Sequence, residues 1–284
     1  MLLYRTRIFN LPVSFSLGTF IKHLERATNL KPTVITRRST TTKCSIVNAS
    51  HFETLNPLQQ QQVHLYVDAL LDWNQKMNLT AVRDANDVMD RHIEDSLAII
   101  PPIRSSYVSN CESTVEKLNL VDVGSGAGLP GLILAIACPD WKLTLLESLN
   151  KRCVFLEHVI GLMGLSNVKV IRGRAEDVGQ NLEFREVYDV AVARAVAEMR
   201  ILAEYCLPLV RVGGLFVAAK GHSPEEEVRR ADKAIRVMGA SLLQTCYVNS
   251  HSPYGQRTAI VCLKNGPTPK KYPRDPGTPA KSPL

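Results

Sequence analysis

The sequence predicts an α/β protein with a doubly wound, mainly parallel sheet, and three observations carry that reading. Between about residues 118 and 264, short runs of β-favouring apolar residues alternate with stretches of helical periodicity. The segment Leu120-Val121-Asp122-Val123-Gly124-Ser125-Gly126-Ala127-Gly128-Leu129-Pro130-Gly131 reads as strand, tight glycine turn and helix start, in that order. Glu147 then closes the next predicted strand, Lys142 to Glu147, where an acid can accept hydrogen bonds from both hydroxyls of a ribose.

Taken in order, residues 1–50 are rich in Arg, Ser and Thr, nearly free of acids, and lack the apolar centre of a secretory signal. That is the composition of an organelle transit peptide. Ile46-Val47-Asn48-Ala49, followed by Ser50, resembles a plastid processing site, so the chloroplast stroma is expected, with the mitochondrion as the alternative. Residues 51–100 form a predicted helical cap. Asn56-Pro57 starts its first helix, and Val63, Tyr66, Val67, Leu70, Leu71 and Trp73 recur at helical spacing to about Lys76. A second helix is expected from about Asp84 to Ile99, carrying His92 and Asp95 one turn apart as a polar contact within the helix that holds the cap to the sheet. Residues 101–117, with two prolines and several serines, read as a linker loop.

The αβ domain is expected over residues 118–264. After the glycine turn it should contain a helix at about 130–138, a strand at 142–147, a helix at 150–163 and a strand at 167–172. A strand at 187–192 leads to a helix at about 198–209. Gly213-Gly214 opens a strand at 215–219, and a helix with an acidic start runs from Glu225 to about Met238. Two last strands, about 241–248 and 257–263, are expected to pair as a hairpin at the sheet edge. Residues 265–284 are a basic, Pro-rich tail, read as an extended arm suited to following a phosphate backbone.

Composition sets further bounds. No run of 18 apolar residues occurs, so no membrane-spanning helix is expected. The seven cysteines are scattered without a C-x-x-C pair, which argues for a reducing compartment and against a disulfide framework or a zinc site. The net charge of +7 does not by itself indicate a nucleic-acid partner: eight of the 34 basic residues and one of the 27 acids lie in the first fifty positions, and the remaining 26 of each cancel. Any case for RNA must therefore rest on a local basic patch.

The glycine turn indicates a small adenosine-containing cofactor, with backbone N–H groups brought close to the ligand ahead of a helix N-terminus. A dinucleotide site asks for a third small residue where Leu129 stands. Asp122 puts a carboxylate beside the turn, unfavourable to a pyrophosphate and acceptable to a cationic sulfonium amino acid. The residues thus favour S-adenosylmethionine over NAD, and no phosphate-loop pattern is present. Ser125 and Gly126 belong to the same turn. Arg194 ends an otherwise apolar strand, either at the surface or facing the cofactor. Arg172, Arg174, Lys220 and Arg257, with Lys271 and Arg274 of the tail, are candidates for the local patch that would touch RNA phosphates.

From about residue 55 onward the chain resembles one family. The resemblance rests on Trp73-Asn74-Gln75-Lys76-Met77-Asn78-Leu79-Thr80, Arg91-His92-Ile93-Glu94-Asp95-Ser96-Leu97, Asp122–Gly131, Leu146-Glu147-Ser148 with Lys151-Arg152, Arg174-Ala175-Glu176-Asp177, Ala193-Arg194-Ala195-Val196-Ala197, Lys220-Gly221 and Lys271-Tyr272-Pro273-Arg274. These motifs are similar to those of the bacterial glucose-inhibited division protein B family, the small-subunit ribosomal RNA guanine-N7 methyltransferases. The resemblance implies a seven-stranded class I methyltransferase sheet and an enzyme acting on small-subunit RNA or an assembling subunit; the organelle address rests on residues 1–50, an extension that departs from the family. It places cofactor contacts on Gly124, Leu129, Ala175, Glu176 and Arg194. It names no acid–base residue, metal or membrane partner, and a monomer is the expected state. Asp275-Pro276 departs from a tail that is otherwise more uniformly basic in the family. A non-catalytic ribosome-assembly factor and an NAD-dependent oxidoreductase are the rival readings.

Overall fold

The computed structural model describes residues 50–111, 114–248 and 257–284. The expected transit peptide up to Ala49, and the loop expected to join the last two strands (249–256), lie outside the described residues.

The chain enters its first helix, α1 (Pro57–Met77), through a reciprocal cap: Gln59 N donates to Asn56 Oδ1 and Asn56 N donates to Gln59 Oε1, both at 3.0 Å. Val63, Tyr66, Val67 and Leu70 form the buried stripe, and the helix stops at Asn78 in the left-handed conformation. The expected second helix is present in three joined pieces: α2 (Ala85–Val88), a π-helical turn (Met89–Ile93) and α3 (Glu94–Leu97). Asp84 caps its start by accepting from the amides of Asn86 and Asp87.

Residues 101–117 are not a linker loop. Most of the segment is helix α4 (Ile100–Asn110). Pro101 and Pro102 fall in its first turn, where a missing N–H leaves no bond unmade. Ile103, Ser106 and Tyr107 are buried on one face. The Ser106 hydroxyl donates to the Pro102 carbonyl at 2.6 Å, so the serines turn back on the helix rather than break it.

The sheet contains β1 (Asn119–Val123), β2 (Lys142–Glu147), β3 (Val168–Arg172), β4 (Tyr188–Arg194), β5 (Val210–Lys220), β6 (Ala240–Val248) and β7 (Arg257–Lys264), in the spatial order β3-β2-β1-β4-β5-β7-β6. Strands β1 to β5 are parallel, and β7 is antiparallel to both β5 and β6. The last two strands do form the expected hairpin, with β7 inserted between β5 and the edge strand β6. Strand order reverses between β1 and β4, which opens a crevice at their C-terminal ends. Gly213 and Gly214 sit inside β5, at a register shift against β4, rather than at the strand's start. A Cβ on Gly214 would lie 2.6 Å from the Asp189 carbonyl, so glycine marks a close backbone approach here.

Helices α5 (Gly131–Ala137) and α6 (Asn150–Met163) share one core with α1, through Leu145, Phe155, Tyr66 and Leu70. Helices α7 (Ala175–Gln180), α8 (Met199–Cys206) and α9 (Glu225–Val237) cover the other face. The tail is neither an extended arm nor free of helix: Tyr272 and Pro279 are buried, and Thr278–Lys281 forms a short helix, α10. Its proline-interrupted backbone has carbonyls to spare, and the side chains of Gln180 and Arg185 donate to them. Among the described residues no helix is long and apolar enough to cross a membrane, and no cluster of His, Cys, Asp or Glu is placed to hold a metal ion.

Gly131 is the closest point between α5 and the sheet. An added Cβ would meet Leu145 Cδ2 at 2.4 Å and Asp122 Oδ2 at 2.7 Å. Gly131→Ala is expected to cost about 1–3 kcal/mol through overpacking. Urea unfolding should show a lower midpoint at unchanged slope, and a wild-type midpoint would contradict this contact.

Candidate cofactor and substrate cleft

A cleft of about 600 Å³ opens where the C-terminal ends of β1, β4 and β5 meet the N-terminal helices. That volume is in the range of small-molecule sites. The structure brings Gly124, Ser125, Gly126, Leu129, Glu147, Arg194, Lys220 and Arg257 onto one wall system, although they come from five separate segments. Leu79, Thr80, Arg91, His92, Asp95 and Ile99 complete it from the cap.

The glycine turn is fixed from beneath by β2. The amides of Gly124 and Ser125 donate to the Leu146 carbonyl at 2.8 and 3.1 Å, and Gly126 N donates to Glu147 Oε2 at 2.9 Å. Glu147 Oε1 accepts from Leu149 N at 2.8 Å, and Arg152 Nη1 stands 3.6 Å from Oε2. Gly124, Gly126 and Gly128 all have positive φ. A Cβ on Gly128 would run into Leu132, and one on Gly124 into Val196, whereas one on Gly126 would meet only the Gly124 carbonyl at 3.8 Å. Gly126 therefore keeps open the space beside Glu147. From the cap, Tyr66 donates its hydroxyl to the Ala127 carbonyl at 2.8 Å.

Asp122 lies behind this turn, fully buried. Its Oδ2 accepts from Gly131 N at 3.0 Å, and its Oδ1 has no hydrogen-bond partner among the described residues. Burial pushes the carboxyl up to about 6, against the opposing pull of the Gly131 bond and the Arg194 charge. Open space at Gly126 beside the Glu147 carboxylate at the end of β2, both on the cleft wall, fits a ligand that carries a ribose, as S-adenosylmethionine does.

On the opposite wall, Arg194 Nη1 donates to the His92 carbonyl and the Ser96 hydroxyl, each at 3.2 Å. His92 and Asp95, expected to contact each other, are drawn to different partners. Asp95 accepts from Arg257 Nε at 2.8 Å and so ties the cap to β7. The His92 ring lies between Thr80 Oγ1, 2.8 Å from Nε2, and the Arg91 carbonyl, 3.1 Å from Nδ1. A carbonyl can only accept, so Nδ1 carries the hydrogen and Nε2 accepts from the Thr80 hydroxyl. Burial, helped by the Arg194 charge, lowers the His92 pKa to about 4, so the imidazole is neutral at physiological pH.

Other expected contacts fall elsewhere. Ala175 and Glu176 are at the start of α7 and do not line the cleft; Glu176 Oε1 accepts from Gly277 N at 2.8 Å. Arg172, also off the cleft wall, donates to Asn150 Oδ1 at 2.8 Å. Lys271 is exposed and lies over the Tyr272 ring, 5.2 Å from its centroid. Arg274, expected to contact RNA, is paired within the protein: its backbone N, Nε and Nη2 donate to the buried carboxylate of Glu204 at 2.6–2.8 Å. Lys220 reaches the cleft, yet its ammonium donates to Glu227 Oε1 at 2.6 Å and to the Ala197 carbonyl at 2.7 Å. Sequence reasoning does not single out Thr80, Arg91, Arg152 or Val196 as contacts. Ala195, at φ 55°, supplies the turn that follows Arg194, and Val196 packs over Gly124.

Comparison with known proteins gives a consistent result. The family model for GidB, described as rRNA small subunit methyltransferase G, matches residues 59–255. The chain is 45% identical over 226 residues to ribosomal RNA small subunit methyltransferase G of Alkaliphilus metalliredigens, covering 80% of this chain and 91% of that protein. It is 46% identical over 228 residues to the protein of the same name in Alkaliphilus oremlandii, with the same coverage. For that of Acetivibrio thermocellus the identity is 42% over 243 residues, covering 85% of this chain and 96% of the relative.

The buried carboxyl of Asp122 has a pH signature. Its folded-state pKa is raised from 3.8 to about 6, so it favours the fold fully below pH 3.8 and loses that contribution as pH rises through 6. Asp122→Asn, which does not titrate, should gain on wild type between pH 4 and pH 7 by on the order of 3 kcal/mol. Thermal midpoints of the two proteins measured across that range check this; a difference independent of pH would refute the buried ionisable group.

Proposed function

This chain belongs to the GidB family of small-subunit ribosomal RNA methyltransferases, and we propose that it methylates N7 of a guanine in the small-subunit RNA of an organelle, with S-adenosylmethionine as donor. When bound, that donor supplies a methyl group on a cationic sulfur, and guanine N7 accepts it with a lone pair, losing no proton. The chain's part is to hold and align. Glu147 is the acceptor for ribose hydroxyls, and Gly126, having no side chain, leaves the space beside it open to the donor. Bringing two reactants into near-attack geometry supplies several kcal/mol of barrier lowering without acid–base chemistry.

The observation that carries this reading is that no poised base faces the cleft among the described residues. His92 is neutral and its acceptor nitrogen is already occupied by Thr80. Asp95 is paired with Arg257, and Glu147 is engaged by the Gly126 and Leu149 amides. Burial drives the Tyr66 phenol far above its ordinary range. An acceptor that must first be deprotonated would find no partner here, whereas guanine N7 needs none. Arg91, Arg152, Arg194 and Arg257 give the mouth a local excess of cations suited to phosphate, while the described body as a whole has no such bias. The acid-poor, Arg/Ser/Thr-rich composition of residues 1–50 supports an organelle address, and Ile46-Val47-Asn48-Ala49 followed by Ser50 favours the plastid over the mitochondrion.

The purified chain should transfer labelled methyl to unmodified small-subunit RNA or particles, and borohydride/aniline cleavage should map 7-methylguanine at one position. Gly126→Asp fills the open space beside Glu147 with a second carboxylate and is expected to reduce transfer by at least 100-fold while the protein stays folded. Binding of S-adenosylmethionine without transfer to any such RNA would instead favour a non-catalytic assembly factor.

A further inference from the structure

Residues 265–284 are bound to the body more tightly than a tail requires. Their root is Lys264, fully buried, whose ammonium donates to the Leu207 carbonyl and to Thr268, and stands 3.1 Å from Glu186. Next, the Arg185 guanidinium donates to the carbonyls of Tyr272 at 2.7 Å and Thr268 at 2.8 Å. Gln180 donates to the Pro273 carbonyl at 2.7 Å, and a Cβ on Gly179 would lie 2.8 Å from the Pro273 ring. Arg274 then grips Glu204, which is fully buried, and Gly277 N closes on Glu176. The last residue, Leu284, packs against the core.

These contacts converge on one small element. Glu176, Gly179 and Gln180 are three of the six residues of α7, Arg185 follows it, and Glu204 lies on α8, which packs beside it. A six-residue helix has little stability of its own and takes its position from what surrounds it. The β3–α7 turn in front of it is joined to the cleft: Gly173 N donates to the Glu147 carbonyl at 3.0 Å, and the Glu147 carboxylate holds Gly126. A continuous set of bonds therefore runs from the C-terminal segment through α7 to the residue expected to grip the ribose.

We propose that the C-terminal segment is a positioning strap for the cofactor side of the cleft, with Arg274 and Glu204 as its clasp, acting through α7 and the β3–α7 turn on Glu147. Neither clasp residue touches the cleft, so both are positioning residues rather than catalytic ones. The inference rests on the reading of the cleft as an S-adenosylmethionine site. Removing one half of a buried pair leaves the other charge uncompensated and lowers stability, whereas neutralising both removes that penalty. This separates positioning from folding.

The test uses the full-length chain, with S-adenosylhomocysteine as the calorimetric probe. Arg274→Gln should weaken its binding by roughly tenfold and raise KM for S-adenosylmethionine, with kcat largely kept. Glu204→Gln combined with Arg274→Gln should recover the thermal midpoint lost in the single variant, yet still bind weakly. Wild-type affinity in that double variant would overturn the strap while leaving the proposed function intact. A wild-type chain that binds no S-adenosylhomocysteine would overturn both. A fall in kcat at unchanged KM and unchanged affinity would also overturn it.

Discussion

The attachment of the glycine turn to the end of β2 is the constraint on which the rest of the site depends. Two amides of the turn share the Leu146 carbonyl, and a third takes the Glu147 carboxylate. A chain with three positive-φ glycines in five residues has unusual freedom, and these bonds remove it. They also fix Glu147 itself, whose second oxygen accepts the first amide of the following turn. Asp122 completes the frame from behind by joining the strand to the helix beyond the turn. The floor of the cleft is thus the glycine turn and Glu147, with Asp122 buried beneath them as a brace.

A floor alone would be an open groove. The N-terminal helices turn it into a cleft, and they are attached by polar bridges as well as by the shared apolar core. Tyr66 reaches the turn, Arg194 reaches the cap from β4, and Asp95 meets Arg257 from β7. The bridges end on the glycine turn, β4 and β7, so movement of the cap would be felt at three places on the wall. Glu94, beside Asp95, uses its buried carboxylate to hold Ser50, His51 and Phe52, which secures the start of the described chain to the same helix. At the far edge the C-terminal segment does for α7 what the cap does for the cleft mouth.

The electrostatics divide along the same lines. Charges that serve the fold are paired inside it, as with Arg274 and Glu204 or Lys220 and Glu227. The carboxylates of the cleft accept from backbone amides or from an arginine, and its histidine is held neutral. A site of this kind is built for placing reactants and for tolerating positive charge as it shifts between them. Abstracting protons is a task for which its groups are already committed.

Local patterns in the sequence were enough for the strand, turn and helix around Gly124, for the acid at Glu147, for the alternating αβ order and for the final hairpin, because each is written in neighbouring residues and in simple periodicities. The same local reading failed where a distant partner decides the conformation. Residues 101–110 are helical because Tyr107 and Ile103 find a core to enter, which outweighs their turn-like composition. Arg274 looks like a phosphate contact in sequence, and only the fold shows Glu204, seventy residues earlier, buried beneath it and bonded to it. His92 and Asp95 are one turn apart on a helix, yet Thr80 and Arg257 lie closer in space and offer better geometry. Charge alone cannot say which cations are free, since a buried carboxylate far along the chain can claim one. The sequence by itself determined the turn, its acid and the order of elements; tertiary structure decided which charged side chains face the cleft and which are spent holding it together.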